Sequence, residues 1–220
     1  MERRNKLRDL VRRRGFGLSI PRDLVVLVAD SNMNSSLQGI LSRPRALGIG
    51  DISFDIYRHP ERDPGCFKKG ADFLRTFSQS HSHCMLIFDH HGCGDEKTRP
   101  EEMENKLEKE MSSLWENRCA VIAIAPELEN WVWSESPHVD QILGWAGKHP
   151  SLREWMKSRD YWPDQCPKPP DPKGALEAAL WEVRKQRSSS IYFDLAKKVS
   201  FDHCQDRAFK KLRAVLKTWF

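Results

Sequence analysis

Four apolar runs punctuate the chain, each bounded by charged or turn-forming residues. Residues 23–29 (Asp-Leu-Val-Val-Leu-Val-Ala) and 119–125 (Cys-Ala-Val-Ile-Ala-Ile-Ala) are almost unbroken, which suits strands covered on both faces. Residues 51–57 alternate apolar and polar, as a half-buried strand does. The run 83–89 stops abruptly at Asp89-His90-His91-Gly92. Between the runs the apolar spacing changes to that of helices. One helix follows Asp30, with Asn34 or Ser35 as its cap and Pro44 as its end. A second, after a loop at 59–65, carries Phe67, Ala71, Leu74 and Phe77 on one face. A third spans about 100–116, with Met103, Leu107, Met111 and Leu114 as its stripe.

This β-α-β-α-β-α-β order predicts an α/β fold, a mostly parallel four-stranded sheet flanked by helices. Beyond 126 no strand is evident. Trp131, Trp133, Trp145, Trp155 and Trp162 alternate with short helical pieces, and a Pro-rich loop runs from Asp164 to Lys173. Helices near 173–187 and over 206–219 complete a helical, Trp-rich C-terminal part. The expected organisation is a basic arm at 1–20, an α/β domain at 21–135 and a helical extension at 136–220 packed on it.

Charge changes this picture mainly at the ends. The 220 residues carry a net +5, and residues 1–14 alone hold seven Arg or Lys against two acids. Such an arm, with Arg12 and Arg13, suits a nucleic-acid phosphate backbone or a solvated helix end. Lys210 belongs to a second basic zone at 206–220. The six cysteines are scattered without a C-x-x-C pair, so reduced thiols are expected. No stretch approaches the roughly 20 apolar residues of a membrane span. A cytoplasmic protein with no membrane contact is the expectation.

The candidate chemistry lies at the strand ends. Asp30, Asp89 and Glu127 each end a predicted parallel strand or lie just past it, and open α/β sheets bind ligands at that edge. Carboxylates gathered there repel unless a cation neutralises them. A hard ion such as Mg²⁺ does so, and it polarises phosphoryl groups. A single strand-ending acid is more often a helix cap; three on one edge favour a metal. His90-His91-Gly92-Cys93 invites a zinc reading, but adjacent histidines on an extended chain face opposite ways.

These residues carry a resemblance. Val28-Ala29-Asp30-Ser31-Asn32, Asp89-His90-His91-Gly92 and above all Pro126-Glu127-Leu128-Glu129-Asn130-Trp131 resemble the acidic motifs of the Toprim fold. Topoisomerases, primases, OLD-family nucleases and small stand-alone bacterial Toprim-like proteins share that fold. The likeness covers roughly residues 23–135. It implies a Toprim-like nuclease with Asp30, Asp89 and Glu127 as catalytic acids. These three, with His91 and Glu129, would ligate Mg²⁺ or Mn²⁺. It also implies a DNA or RNA substrate, an ABC-type or OLD-like ATPase partner and a role in anti-phage defence. Two departures stand out: Asp30-Ser31 replaces the family's Glu-Gly, and His91 replaces the second Asp of D-x-D. The Asp-His-His triplet is also the signature of the DHH phosphodiesterases. Their pattern further needs a D-x-D, which Asp30-Ser31-Asn32 half supplies, and a separate Asp, for which Asp63 in its expected loop is a poor fit.

Three functions follow as expectations. The first is a metal-dependent nuclease, with Lys173 and Arg187 as further phosphate contacts. The second is a catalytically degenerate subunit that binds nucleic acid or the ATPase, motivated by His91. The third is an α/β domain whose strand-end acids only cap helices. No Walker phosphate loop is present in the sequence, so ATP hydrolysis by this chain is not expected.

Overall fold

The computed structural model of the protein describes residues 21–202 and 204–220; the basic arm with Arg12 and Arg13 lies outside them. Four strands, β1 (Arg22–Val28), β2 (Phe54–Arg58), β3 (His81–Asp89) and β4 (Cys119–Ile124), form one sheet. All pairings are parallel and the order is β2-β1-β3-β4. The unbroken apolar runs occupy the places that the sheet buries. Leu24 to Val28 of β1 and Cys84 to Phe88 of β3 have no exposed surface. The alternating segment became the edge strand β2, which is only half buried. It begins later than its pattern suggests, because Ser53 is spent outside the ladder. Its carbonyl accepts from Asp23 and Leu24, and its own N–H and hydroxyl bond the Asp23 carboxylate.

Five helices lie between and just after the strands or along the chain end: α1 (Ser31–Leu41), the short α2 (Pro44–Leu47), α3 (Arg62–Arg75), α4 (Pro100–Trp115) and, closing the chain, α9 (Arg207–Trp219). Between β4 and α9 come a 3-10 turn (Leu128–Trp131), α5 (Pro137–Leu143), α6 (Leu152–Ser158), α7 (Pro172–Glu182) and α8 (Ser189–Lys198). Two expectations need correction. The segment 59–65 is not all loop: α3 starts at Arg62, since Pro64 falls in the first turn, where its missing N–H costs nothing. The expected helix 173–187 stops at Glu182, and a further helix that was not expected, α8, follows it with Ile191, Tyr192, Leu195 and Ala196 on its buried face.

α8 matters because it packs on α1. The approach is close enough that a Cβ on Gly39 would meet the Ala196 Cβ at 2.6 Å. Arg43 clamps the far end of α8 by donating to the carbonyls of Ala196 (2.6 Å) and Val199 (2.7 Å). One hydrophobic core therefore runs from the sheet into the C-terminal helices.

β4 is the other edge strand, and carboxylates cover it. Glu108 accepts the Val121 N–H at 2.9 Å and Glu104 accepts the Ala123 N–H at 2.8 Å. Glu104 is only 2% exposed. Arg207 grips it with two bonds (2.8 and 3.0 Å) and also donates to the Ala123 carbonyl, while Lys211 donates to both acids. The edge that would otherwise invite strand pairing is thereby closed. Replacing Glu104 by Ala leaves the Ala123 N–H without its acceptor and takes one acid from each of Arg207 and Lys211, which keep Glu101 and Glu108. A loss of about 2–3 kcal/mol is expected, or roughly 4–12 °C in Tm for a chain of this size. A thermal melt within 1 °C of wild type would show that Glu104 is idle.

Candidate functional site

The topology determines where a ligand could enter. The chain runs from β1 to one edge through α1, then crosses back to β3 and on to β4. The direction of winding reverses between β1 and β3, and such a switch point opens a crevice at the carboxyl ends of the strands. Val28 pairs with Ile87, so two further steps of that register set Asp30 beside Asp89. After β3 the chain stays along β4: His90 N–H donates to the Ile124 carbonyl (2.8 Å) and His91 N–H to the Pro126 carbonyl (2.9 Å). This brings Glu127 to the same edge.

Each acid is held differently. Asp30 caps α1, accepting the Met33 N–H at 2.9 Å, so the cap is neither Asn34 nor Ser35. Asp89 is the last residue of β3, and its Oδ1 is buried with no hydrogen-bond donor. Its carboxyl is pushed well up from the ordinary carboxylate range. Burial is the main cause, followed by the charges of Asp63, Glu129, Asp30 and Glu127. Glu127 is 7% exposed, and burial and then Glu129 raise its carboxyl too, against the pull of Lys173 and His91.

Asp63 is the residue that the sequence pattern undervalued. It stands in the first turn of α3, and its Oδ1 accepts the backbone N–H of Asp89 at 2.8 Å. Burial raises its carboxyl as well, with Asp30 adding to the shift and Lys173 opposing it. No local signal announced it, because residues 59–65 read as a loop. Asp63 thus supplies a separate acid beside the Asp-His-His triplet, from a helix start rather than a strand end. Asn34 joins the same pattern, with an Oδ1 that is buried and has no donor.

The remaining candidates divide. Glu129 is 3% exposed and already engaged: Arg187 forms an ion pair with it, and the Tyr192 hydroxyl donates to it at 2.5 Å. Arg187 also donates to Glu177 (2.7 Å) and to Tyr192, so its guanidinium is spent inside the protein. Lys173, in the first turn of α7, is exposed yet close enough to pull on Asp63 and Glu127. His91 is exposed and acts electrostatically on Glu127 and Glu96. Lys210 lies on the exposed face of α9, bonded to Gln205. The other histidines have local uses: His90 bonds the Thr98 carbonyl, His81 pairs with Asp55, and His83 stacks on Trp219.

The donor set is one of oxygens, which suits a hard cation. The buried Asp89 Oδ1 without a donor and three carboxyls shifted upward fit a positive charge at this point. Among the described residues no three His, Cys, Asp or Glu side chains stand together as a group that could hold a metal ion. Comparison with protein-family models, curated proteins and solved structures gives no match. The fold and edge define an α/β protein with a carboxylate cluster at the switch point of a parallel sheet. Among the described residues, no helix is long and apolar enough to cross a membrane.

The sign of the pH dependence follows from Asp89. A carboxyl whose folded pKa lies above its unfolded value, about 4, is fully tolerated below that value. It costs stability as pH rises through the folded pKa. In EDTA, Asp89→Asn should therefore melt above wild type at pH 7–8, by at least about 2–4 °C, or about 1 kcal/mol at this size. The gap should close toward pH 4. A variant that melts below wild type at neutral pH would mean that the buried carboxylate is already compensated.

Proposed function

We propose that this protein is a metal-dependent phosphodiester hydrolase acting on DNA or RNA, with its centre at the carboxylate edge of the sheet. The observation that carries the reading is the Asp89 carboxyl, whose Oδ1 is buried without a donor among four other acids. Holding such a group there is costly, and a divalent cation offsets the cost. Asp30, Asp89 and Glu127 would hold Mg²⁺ or Mn²⁺, with Asp63 as a further ligand or as the acceptor that fixes the Asp89 backbone. A bound ion of this kind polarises a phosphoryl oxygen and acidifies a water. Lys173 supplies positive charge beside Glu127, and exposed His91 stands where a proton could be passed to or from solvent.

The second reading, a degenerate subunit that binds nucleic acid or a partner, is favoured by two observations. Glu129 is committed to Arg187 and Tyr192, and an exposed histidine occupies the place of an acid. The ABC-type or OLD-like ATPase partner and the defence role rest on the motif resemblance of residues 126–131.

Cleavage of labelled DNA and RNA with Mg²⁺, Mn²⁺ or EDTA tests the choice. Metal-dependent cleavage is expected, reduced at least about 100-fold in Asp89→Asn and about 10- to 100-fold in Asp63→Asn. Absence of both metal binding and cleavage in the wild type, alone or with an ATPase partner, would overturn the enzyme reading in favour of the binding subunit.

A further inference from the structure

Beside the acids, at the carboxyl ends of β1 and β2, lies a cleft of about 590 Å³. One wall is Asp30, Ser31 and Asn34; the other is Arg58, His59 and Arg62. We infer that this cleft is a phosphate-binding groove for a nucleic-acid strand, seating a phosphate next to the one that the carboxylate edge would hydrolyse. The inference rests on the proposed function for its neighbour but has its own observations.

The loop 58–62 is built, not draped. His59 N–H continues the β1 ladder by donating to the Val28 carbonyl (2.9 Å), and Arg62 N–H turns back to the His59 carbonyl (3.1 Å). The His59 ring is 6% exposed, and its Nδ1 accepts the Glu61 N–H at 3.1 Å. A neutral ring therefore carries its proton on Nε2. The ring presses on the α3 backbone so closely that a Cβ on Gly65 would lie 2.0 Å from Nδ1. Arg62 then adopts a φ of 53°, a region in which side chains other than glycine, asparagine and aspartate are uncommon. The chain keeps an arginine where backbone geometry prefers glycine, and outliers of this kind gather at ligand sites.

The charges complete the case. Arg58 donates to the Ser31 hydroxyl, at the first residue of α1, and is exposed. Arg62 is exposed and makes no ion pair among the described residues. Two arginines thus line a cleft in which, among the described residues, Asp30 is the one lining carboxylate, itself at the proposed centre. Planar guanidinium forks match phosphate oxygens, and the volume lies within the range of small-ligand sites. A strand crossing this cleft would run from Arg62 and Arg58 to Asp30 and Asp89.

The test is equilibrium binding of a labelled single-stranded 12-mer, DNA and RNA, to the full chain by fluorescence anisotropy. It is run in EDTA across a salt series, with Arg58→Gln/Arg62→Gly against wild type. Each phosphate contact on a single strand contributes about 0.7 to the slope of log K against log salt. The double variant should lose about 1.4 of that slope and bind at least about tenfold more weakly at low salt. Its melting temperature should not fall, since glycine accepts the φ at position 62. An unchanged slope, or no binding by the wild type, overturns the inference. Equal competition by inorganic phosphate or a mononucleotide at the same concentration overturns the strand assignment. Loss of slope in a protein without metal-dependent cleavage would sink the hydrolase reading and leave the groove. Cleavage that Asp89→Asn abolishes, with the slope intact, would do the reverse.

Discussion

The desolvation of one carboxyl group sets the terms for the functional end of this molecule. Asp89 ends the central strand β3, and the register that buries Val28 and Ile87 also carries Asp30 up to it. The sheet cannot be paired this way without bringing like charges together. Asp63 adds to that repulsion, yet it also accepts the Asp89 backbone N–H and so stiffens the strand end. The site is held against its own electrostatics by hydrogen bonds to the backbone and by the core beneath it. Residues placed at such a cost are a familiar mark of function.

Two other groups of acids are compensated. At β4, Glu104 and Glu108 face Arg207 and Lys211, and every partner is satisfied while the sheet edge is closed. Glu129, two residues past Glu127, has a guanidinium and a phenol. The contrast between Glu127 and Glu129 is instructive: neighbouring acids in one motif, one paired inside the protein and one left on the shared edge. The motif resemblance makes both of them metal ligands, whereas the packing separates them.

The C-terminal helices are part of the site's support. α8 lies on α1, whose first turn is capped by Asp30, and Arg43 ties the two together. α7 brings Lys173 toward Asp63 and Glu127. Arg187, expected to meet phosphate, instead anchors Glu129 to Tyr192 of α8. Among the described residues, Lys173 lies close to the acid edge, and Arg58 and Arg62 line the neighbouring cleft.

The sequence by itself determined the four strands, their parallel α/β order and the three strand-end acids. Those features depend on local periodicity and on where an apolar run meets a charge. Helix α8 was not expected, although Ile191, Tyr192, Leu195 and Ala196 fall at helical spacing: ten residues beginning among serines make a short pattern, and packing on α1 is what orders it. Asp63 was not legible either, because its role depends on a hydrogen bond to a residue 26 positions away. The strand order, the switch point between β1 and β3, and the division of acids into paired and unpaired groups were decided only by the tertiary structure. Each of them arises from which segments meet in space, and no local spacing carries that information.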